Sequence, residues 1–295
     1  MNHVAETAER IRRLEIQGAN AIAKAALAAL AEEIASDPVA ERAPLARPLL
    51  DARPNEPMLR NLLGHFLART EKETSADALR GVAADLLSEV ARGEEAIART
   101  GAGLIQEGMT VFTHCHSSSA LAVLKEAWRQ GRRFKVLNTE TRPRYQGRIT
   151  ARELAAAGIP FTHMVDSAAK FALDGADLFL FGADAVLPSG YLINKVGTGI
   201  FCLVANRYDV PTYCAMHTLK VVRDKPDEAV EQRGAEEVWP EAPEGVLVFN
   251  PAFDKVHLKY VTAFITERGL VKDVLSSAAG APGDPRPGGE GSGGK

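Results

Sequence analysis

The segment Thr113-His114-Cys115-His116-Ser117-Ser118-Ser119 holds the residue types most able to do chemistry in this 295-residue chain. An apolar run from Met109 to Phe112 gives way there to small polar residues, and a helical pattern follows. A thiol at the carboxyl end of a strand, followed by serines that can cap the next helix, faces free backbone N–H groups and the positive end of the helix dipole. Such a setting binds anions. It also predicts a lowered thiol pKa and a reactive thiolate. Unpaired cysteine is among the most buried residue types, so Cys115 taken alone reads first as a structural thiol. Its partners must decide.

Asp184, in Phe181-Gly182-Ala183-Asp184, ends a second apolar strand and so belongs on the same rim. An aspartate after Gly-Ala is often a turn former or helix cap. Across a pocket from a thiol it becomes a candidate acid or base. Asn194-Lys195 follows the apolar Tyr191 to Ile193 and precedes a Gly-flanked helix start. A lysine point charge and a two-way amide suit phosphate and sugar hydroxyls, although a solvated turn has the same composition. Glu140-Thr141-Arg142-Pro143-Arg144-Tyr145-Gln146-Gly147 and His217-Thr218-Leu219-Lys220 are two further polar strand ends. No metal site is expected from His114, Cys115 and His116, because consecutive side chains of extended backbone alternate faces and no CxxC or HxxxH partner is present.

The elements that must hold these residues fall into two zones. From Val4 to Ala35 apolar residues recur at helical spacing around a break at Gly18, predicting two helices. Proline-rich punctuation from Pro38 to Pro57 follows, then helical runs over Met58 to Ala68 and Asp77 to Arg99. Residues 1–103 read as a helical domain. Beyond Gly108, strands are predicted at Val111 to Thr113, Lys135 to Thr139, Phe161 to Val165, Leu178 to Phe181 and Thr212 to Met216, with helices between them. This alternation predicts, over residues 104–275, a Rossmann-like α/β domain: a mainly parallel sheet with helices on both faces and ligands gathered beyond the strand ends. The Gly-, Pro- and Ser-rich stretch 276–295 is expected to be disordered.

Composition limits the function classes. A net charge of −3 gives no basic excess for nucleic acid, and the longest apolar stretch, Ala21 to Ala31, is too short and Ala-rich to span a membrane. Met1 to Glu15 is charged throughout, unlike a signal peptide. Cys115, Cys202 and Cys214 form no close-spaced pair, which fits a reducing cytoplasm. Gly197-Thr198-Gly199 lacks the spacing of a dinucleotide fingerprint or Walker loop.

Six ordered motifs carry a resemblance: Thr113-His114-Cys115-His116-Ser117, Glu140-Thr141-Arg142-Pro143 with Gln146-Gly147, Val165-Asp166-Ser167-Ala168-Ala169, Gly182-Ala183-Asp184, Ile193-Asn194-Lys195-Val196-Gly197-Thr198 and Asn250-Pro251-Ala252-Phe253-Asp254. From about Ile11 to Val271 the chain resembles the family that unites the alpha, beta and delta subunits of eukaryotic translation initiation factor 2B with isomerases of ribose 1,5-bisphosphate and methylthioribose 1-phosphate. The resemblance implies Cys115 as proton acceptor and Asp184 as proton donor of an aldose-ketose isomerase that needs no cofactor. It implies substrate contacts from Arg53, Ser117, Ser118, Ser119, Gln146, Asn194, Lys195 and Lys220, and from the turn Gln17-Gly18-Ala19-Asn20. His116-Ser117-Ser118-Ser119 and Lys220 resemble the bisphosphate enzymes, so the implied partner is a phosphorylated pentose. A methylthioribose 1-phosphate isomerase and a non-catalytic initiation-factor subunit are the alternatives. One position departs from the isomerases, which carry arginine where this chain has Gln17. The family also implies a homo-oligomer, a dimer or a hexamer.

Overall fold

The computed structural model describes residues 2–223 and 230–278. The helical part begins with α1 (His3–Arg12), capped by Asn2, whose side chain accepts from the Ala5 N–H at 2.8 Å. Gly18, at φ +84°, turns the chain into α2 (Ala19–Ser36), a conformation that glycine adopts at no steric cost. α2 is rich in alanine because it is the central helix, packed against α1, α4 and α5, and small side chains let the backbones approach. Its Ile22, Leu27, Leu30 and Ile34 are fully buried.

The proline-rich punctuation is only partly a linker: α3 (Arg42–Ala52) forms within it. Pro44 lies in the first turn, where no intrahelical N–H is needed, and Ala46, Leu49 and Ala52 bury one face at three-residue spacing. α4 (Pro57–Thr70) starts on a proline, and α5 (Ala76–Ala102) is capped by Ser75. α5 joins two cores. Leu79, Leu86 and Val90 belong to the helical core, whereas Ile97 and Ala102 pack into the core of the α/β part.

In the α/β part the chain runs β1 (Thr110–Thr113), α6 (Ser118–Arg129), β2 (Lys135–Thr139), α7 (Gly147–Ala156), β3 (Phe161–Met164), α8 (Ala169–Leu173), β4 (Leu178–Gly182), β5 (Ala185–Leu187), β6 (Tyr191–Lys195), α9 (Thr198–Arg207), β7 (Thr212–Ala215), β8 (Phe253–His257), β9 (Ala263–Thr266), β10 (Gly269–Val271) and α10 (Val274–Ala278). The main sheet has the order β10-β9-β7-β4-β1-β2-β3, parallel except for β10. Successive residues serve opposite faces. Val111, Val136, Leu178 and Leu180 pack with α6, while Phe112, Phe179 and Phe181 pack with α8 and α9. The sheet therefore has helices on both faces, as the alternation predicts.

The sequence reading misses the antiparallel sheet β5-β6-β8, the strand β9 and the edge strand β10. The expected disordered tail begins within α10, since Ser276 to Ala278 are helical; the rest of that expectation lies outside the described residues.

From β1 the chain moves outward through β2 and β3, then returns to β4 on the other side of β1. That reversal opens a crevice at the carboxyl ends of β1 and β4, the place where open α/β sheets bind ligands. Gly147 closes α7 onto the sheet so tightly that a β-carbon there would lie 1.7 Å from the Thr139 carbonyl oxygen. Gly147→Ala is therefore expected to destabilise the protein by ~1–3 kcal/mol or more, read as a lower urea midpoint. An unchanged midpoint would show that α7 and β2 separate freely.

Candidate active site

Cys115 and Asp184 stand at the ends of the neighbouring parallel strands β1 and β4. Cys115 adopts φ +65°, a left-handed conformation costly for a residue with a β-carbon. Its surroundings hold it there. The Cys115 N–H donates to Thr141 Oγ1 at 3.0 Å, and its carbonyl accepts from Thr150 Oγ1 at 2.8 Å. Thr141, itself at φ +64°, donates its N–H to Asp166 Oδ1 at 2.9 Å, and Arg142 donates to Oδ2 at 2.7 Å. Asp166, which follows β3, thus fixes the loop after β2, which in turn fixes the thiol after β1.

His114 completes the brace. Its Nε2 lies 3.1 Å from the Val196 carbonyl, which can only accept, so Nε2 carries the proton and Nδ1 accepts from Thr139 Oγ1 at 2.7 Å. Burial pushes His114 down to about 4, so the ring is neutral. On the far side, Asp254 accepts from the N–H groups of Gly197 at 2.8 Å and Gly199 at 2.9 Å. Five of the six sequence motifs are therefore tied by named hydrogen bonds.

A cavity of about 480 Å³ lies between the helical and α/β parts. Gln17, Gly18, Arg53, Gln146 and Asp184 line it, as do Glu56, His116 and Glu231, to which the sequence reading gave no role. Arg53 Nε, Glu56 Oε1 and Gln146 Oε1 are buried without a hydrogen-bond partner among the described residues. Three such atoms on one cavity wall are costly unless a polar ligand engages them. Arg53 Nη1 is 3.6 Å from Glu231 Oε2, a pair that spans the two parts.

The other residues sit behind this wall. Lys220 is buried and donates from Nζ to the Ala183 carbonyl at 2.7 Å, next to Asp184. Lys195 is also buried, and Asn194 donates to Thr198 Oγ1 at 2.8 Å. Ser117 caps α6, accepting from the Ala120 N–H at 3.3 Å, while Ser118 is exposed and Ser119 Oγ is buried without a partner. Ala19 and Asn20 start α2 and do not line the cavity; Asn20 Nδ2 donates to Glu94 Oε1 at 2.7 Å. Gln17 turns its amide onto the Leu14 carbonyl at 2.7 Å. Cys115 does not itself line the cavity, but its neighbour His116 does.

Electrostatics here differ from the sequence expectation. The thiol is pushed up to about 12: burial dominates, the His116 backbone hydrogen bond and Lys195 act against it, and Asp184 adds to it. The helix dipole does not produce a resting thiolate. Burial also raises Asp184, opposed by Lys220, Arg53 and Lys195. Glu56 is raised from 4.5 to about 8, first by burial and then by the Asp184 charge. Two carboxyls thus share one poorly hydrated wall, so the pair retains a proton near neutral pH. Burial lowers Lys195, and the Cys115 charge opposes that shift. Among the described residues no group of three or more His, Cys, Asp or Glu is placed to hold a metal ion, and no helix is long and apolar enough to cross a membrane.

Glu56 escapes the sequence reading because nothing local marks it: it sits between two prolines at the start of α4, and its burial arises only when α4 meets the α/β part. A pH signature follows. The folded chain binds a proton at Glu56 that the unfolded chain has lost between pH 4.5 and about 8, so Glu56 makes stability fall as pH rises through that window. Glu56→Gln removes this dependence, and its melting temperature relative to the parent is expected to rise steadily from pH 5 to pH 8. Parallel melting curves across that range would contradict the assignment.

Comparison with known proteins agrees with this architecture. The chain is 37% identical to ribose 1,5-bisphosphate isomerase of Thermococcus kodakarensis, over 92% of this chain and 91% of that one. It is 36% identical to methylthioribose-1-phosphate isomerase of Pelotomaculum thermopropionicum, over 90% and 82% of the two chains. The crystal structure of translation initiation factor eIF-2B from Pyrococcus horikoshii OT3 superposes with a TM-score of 0.78 at 28% identity, covering 92% of this chain and 97% of that one. The family pattern matches residues 15–273, and the chain belongs to the Initiation factor 2 subunit family.

Proposed function

We propose that this protein is an aldose-ketose isomerase that converts ribose 1,5-bisphosphate to ribulose 1,5-bisphosphate. The observation that carries the reading is the placement of a half-buried thiol and a half-buried carboxyl at adjacent strand ends where the sheet reverses, with the buried Lys195 and Lys220 behind them. A regulatory subunit gains nothing from burying such groups, and each burial costs stability.

The chemistry follows from proton accounting. A pentose with phosphate on its anomeric oxygen cannot open its ring by losing an anomeric proton. Opening requires a proton on the ring oxygen, and the proton that Asp184, raised by burial, shares with Glu56 on the same wall is the one placed to supply it. Cys115 acts once its thiol proton has passed to a phosphate oxygen of the substrate; the thiolate then takes the C2 hydrogen as a proton, returns it to C1 of the enol and recovers its own proton from the phosphate. A thiolate whose conjugate acid lies near 12 is a strong base for a carbon acid, and the Lys195 ammonium opposes its charge. Arg53, Lys195, Lys220 and Asn194 bind phosphate and sugar oxygens, with Gln146 and the backbone N–H groups at the start of α6 around Ser117, Ser118 and Ser119. Gln17 and Gly18 close the cavity from the helical side. An amide at Gln17 in place of a guanidinium gives up a charge-assisted contact of ~1.5–3 kcal/mol. No cofactor enters.

Assembly into a homo-oligomer, a dimer or a hexamer, is supported by α8 and α9, which pack together yet leave Phe171, Ile200 and Leu203 exposed. The unpaired Cys115, Cys202 and Cys214 suit a cytoplasmic enzyme.

The test is phosphorus and proton NMR of the purified protein with the α anomer of ribose 1,5-bisphosphate, beside methylthioribose 1-phosphate and ribose 5-phosphate. Ribulose 1,5-bisphosphate is the expected product, and Cys115→Ser and Asp184→Asn are each expected to lower kcat by ~10²-fold or more while ligand binding persists. Conversion of methylthioribose 1-phosphate alone would move the assignment to that substrate. Binding without turnover of any of the three would favour the regulatory reading.

A further inference from the structure

His116 carries a nitrogen whose protonation state is fixed by geometry. Its Nδ1 lies 3.2 Å from Thr150 Oγ1, and Thr150 Oγ1 lies 2.8 Å from the Cys115 carbonyl oxygen. A carbonyl oxygen can only accept, so the single threonine proton is committed to Cys115. Thr150 must therefore accept from His116, and Nδ1 carries the hydrogen. Burial lowers the His116 pKa, so the ring is neutral and Nε2 holds a lone pair. No hydrogen bond to Nε2 is made among the described residues, and His116 lines the cavity beside Asp184.

His114, two residues earlier, is the mirror case. Its Nε2 donates to Val196 and its Nδ1 accepts from Thr139, so both nitrogens are spent inside the protein. Of the two histidines, His116 is the one that lines the cavity with an unspent ring nitrogen among the described residues. The charged residues acting on it are Glu153, which raises its pKa, and Lys125, which lowers it, and these two pair with each other across α6 and α7. From the cavity wall it also faces the Asp184 and Glu56 carboxyls and Arg53.

We infer that His116 is a third catalytic residue, whose Nε2 takes the proton of the C2 hydroxyl as the ketone forms. The inference rests on the isomerase reading. When the enol at C1 and C2 receives its proton at C1 from Cys115, the O2–H bond must break, its electrons forming the C2 carbonyl. The proton moves to Nε2, giving imidazolium. Asp184, left as a carboxylate after protonating the ring oxygen, regains a proton as imidazolium returns to imidazole. Protons then balance over the cycle: the ring oxygen gains one, O2 loses one, and the hydrogen from C2 ends on C1.

Two variants and one spectroscopic measurement test this. Asparagine at 116 keeps a donor toward Thr150 but has nothing at the Nε2 position, and glutamine places an amide there that is not a base. His116→Asn and His116→Gln are each expected to lower kcat by ~10²-fold with KM changed less than about threefold, and to abolish the acid limb of the kcat–pH profile between pH 5 and pH 9. Retention of kcat within about threefold together with the acid limb would overturn the proposal. Nitrogen-15 NMR of histidine-labelled parent protein decides independently of turnover. The His116 ring is expected as the Nδ1–H tautomer, with its Nε2 resonance shifting on saturation with ribulose 1,5-bisphosphate. An Nε2–H tautomer, or an Nε2 signal unmoved by that ligand, would overturn it even if the substrate panel pointed to another sugar.

Discussion

The structure depends on keeping ionisable groups away from water at the point where the main sheet reverses. Cys115, Asp184, Lys195 and Lys220 meet at the ends of β1, β4 and β6, or just beyond β7, and burial is the largest influence on the first three. Water would pin the carboxyl as a carboxylate and leave the thiol an ordinary one. Enclosed, the carboxyl keeps a proton and the thiol becomes a strong potential base. Opposite charges within the cluster temper the shifts that burial imposes on Cys115, Asp184 and Lys195.

Holding that cluster explains much of the surrounding architecture. The left-handed Cys115 is imposed by Thr141 and Thr150, Thr141 is imposed by Asp166, and His114 links the same loop to Val196. Asp254 anchors the start of α9 through Gly197 and Gly199. The helical part supplies the remaining wall. It brings Gln17, Arg53 and Glu56 over the strand ends, with Asn61 gripping the carbonyls of Leu219 at 2.7 Å and Val221 at 3.0 Å and Arg53 meeting Glu231. Neither part alone makes the cavity.

Much of this was legible in the sequence, for physical reasons that also explain the gaps. β1, β2, β4 and β7 are short apolar runs ended by polar turns, and their alternation with helices implies a parallel sheet whose strand ends gather Cys115 and Asp184. The small sheet was missed because β5 has three residues and β8, Phe253-Asp254-Lys255-Val256-His257, carries charges that mask its period. α3 was hidden by its prolines. The expected lowered thiol pKa failed because helix-dipole reasoning is local, whereas the dominant influence on Cys115 is burial by the whole fold. Glu56 and His116 were beyond reach for the same reason: the helix packing that buries one, and the threonine that sets the tautomer of the other, come from distant segments.

The central claim is that Asp184 and Glu56 together retain a proton at neutral pH, without which the site has no acid to open a sugar ring. Carbon-13 NMR of the side-chain carboxyls, titrated from pH 3 to pH 10 and assigned with Asp184→Asn and Glu56→Gln, measures that directly. One proton leaving the pair only near pH 8, with the two carbon signals moving together, is the predicted result. Two independent titrations complete below pH 5 would contradict the account.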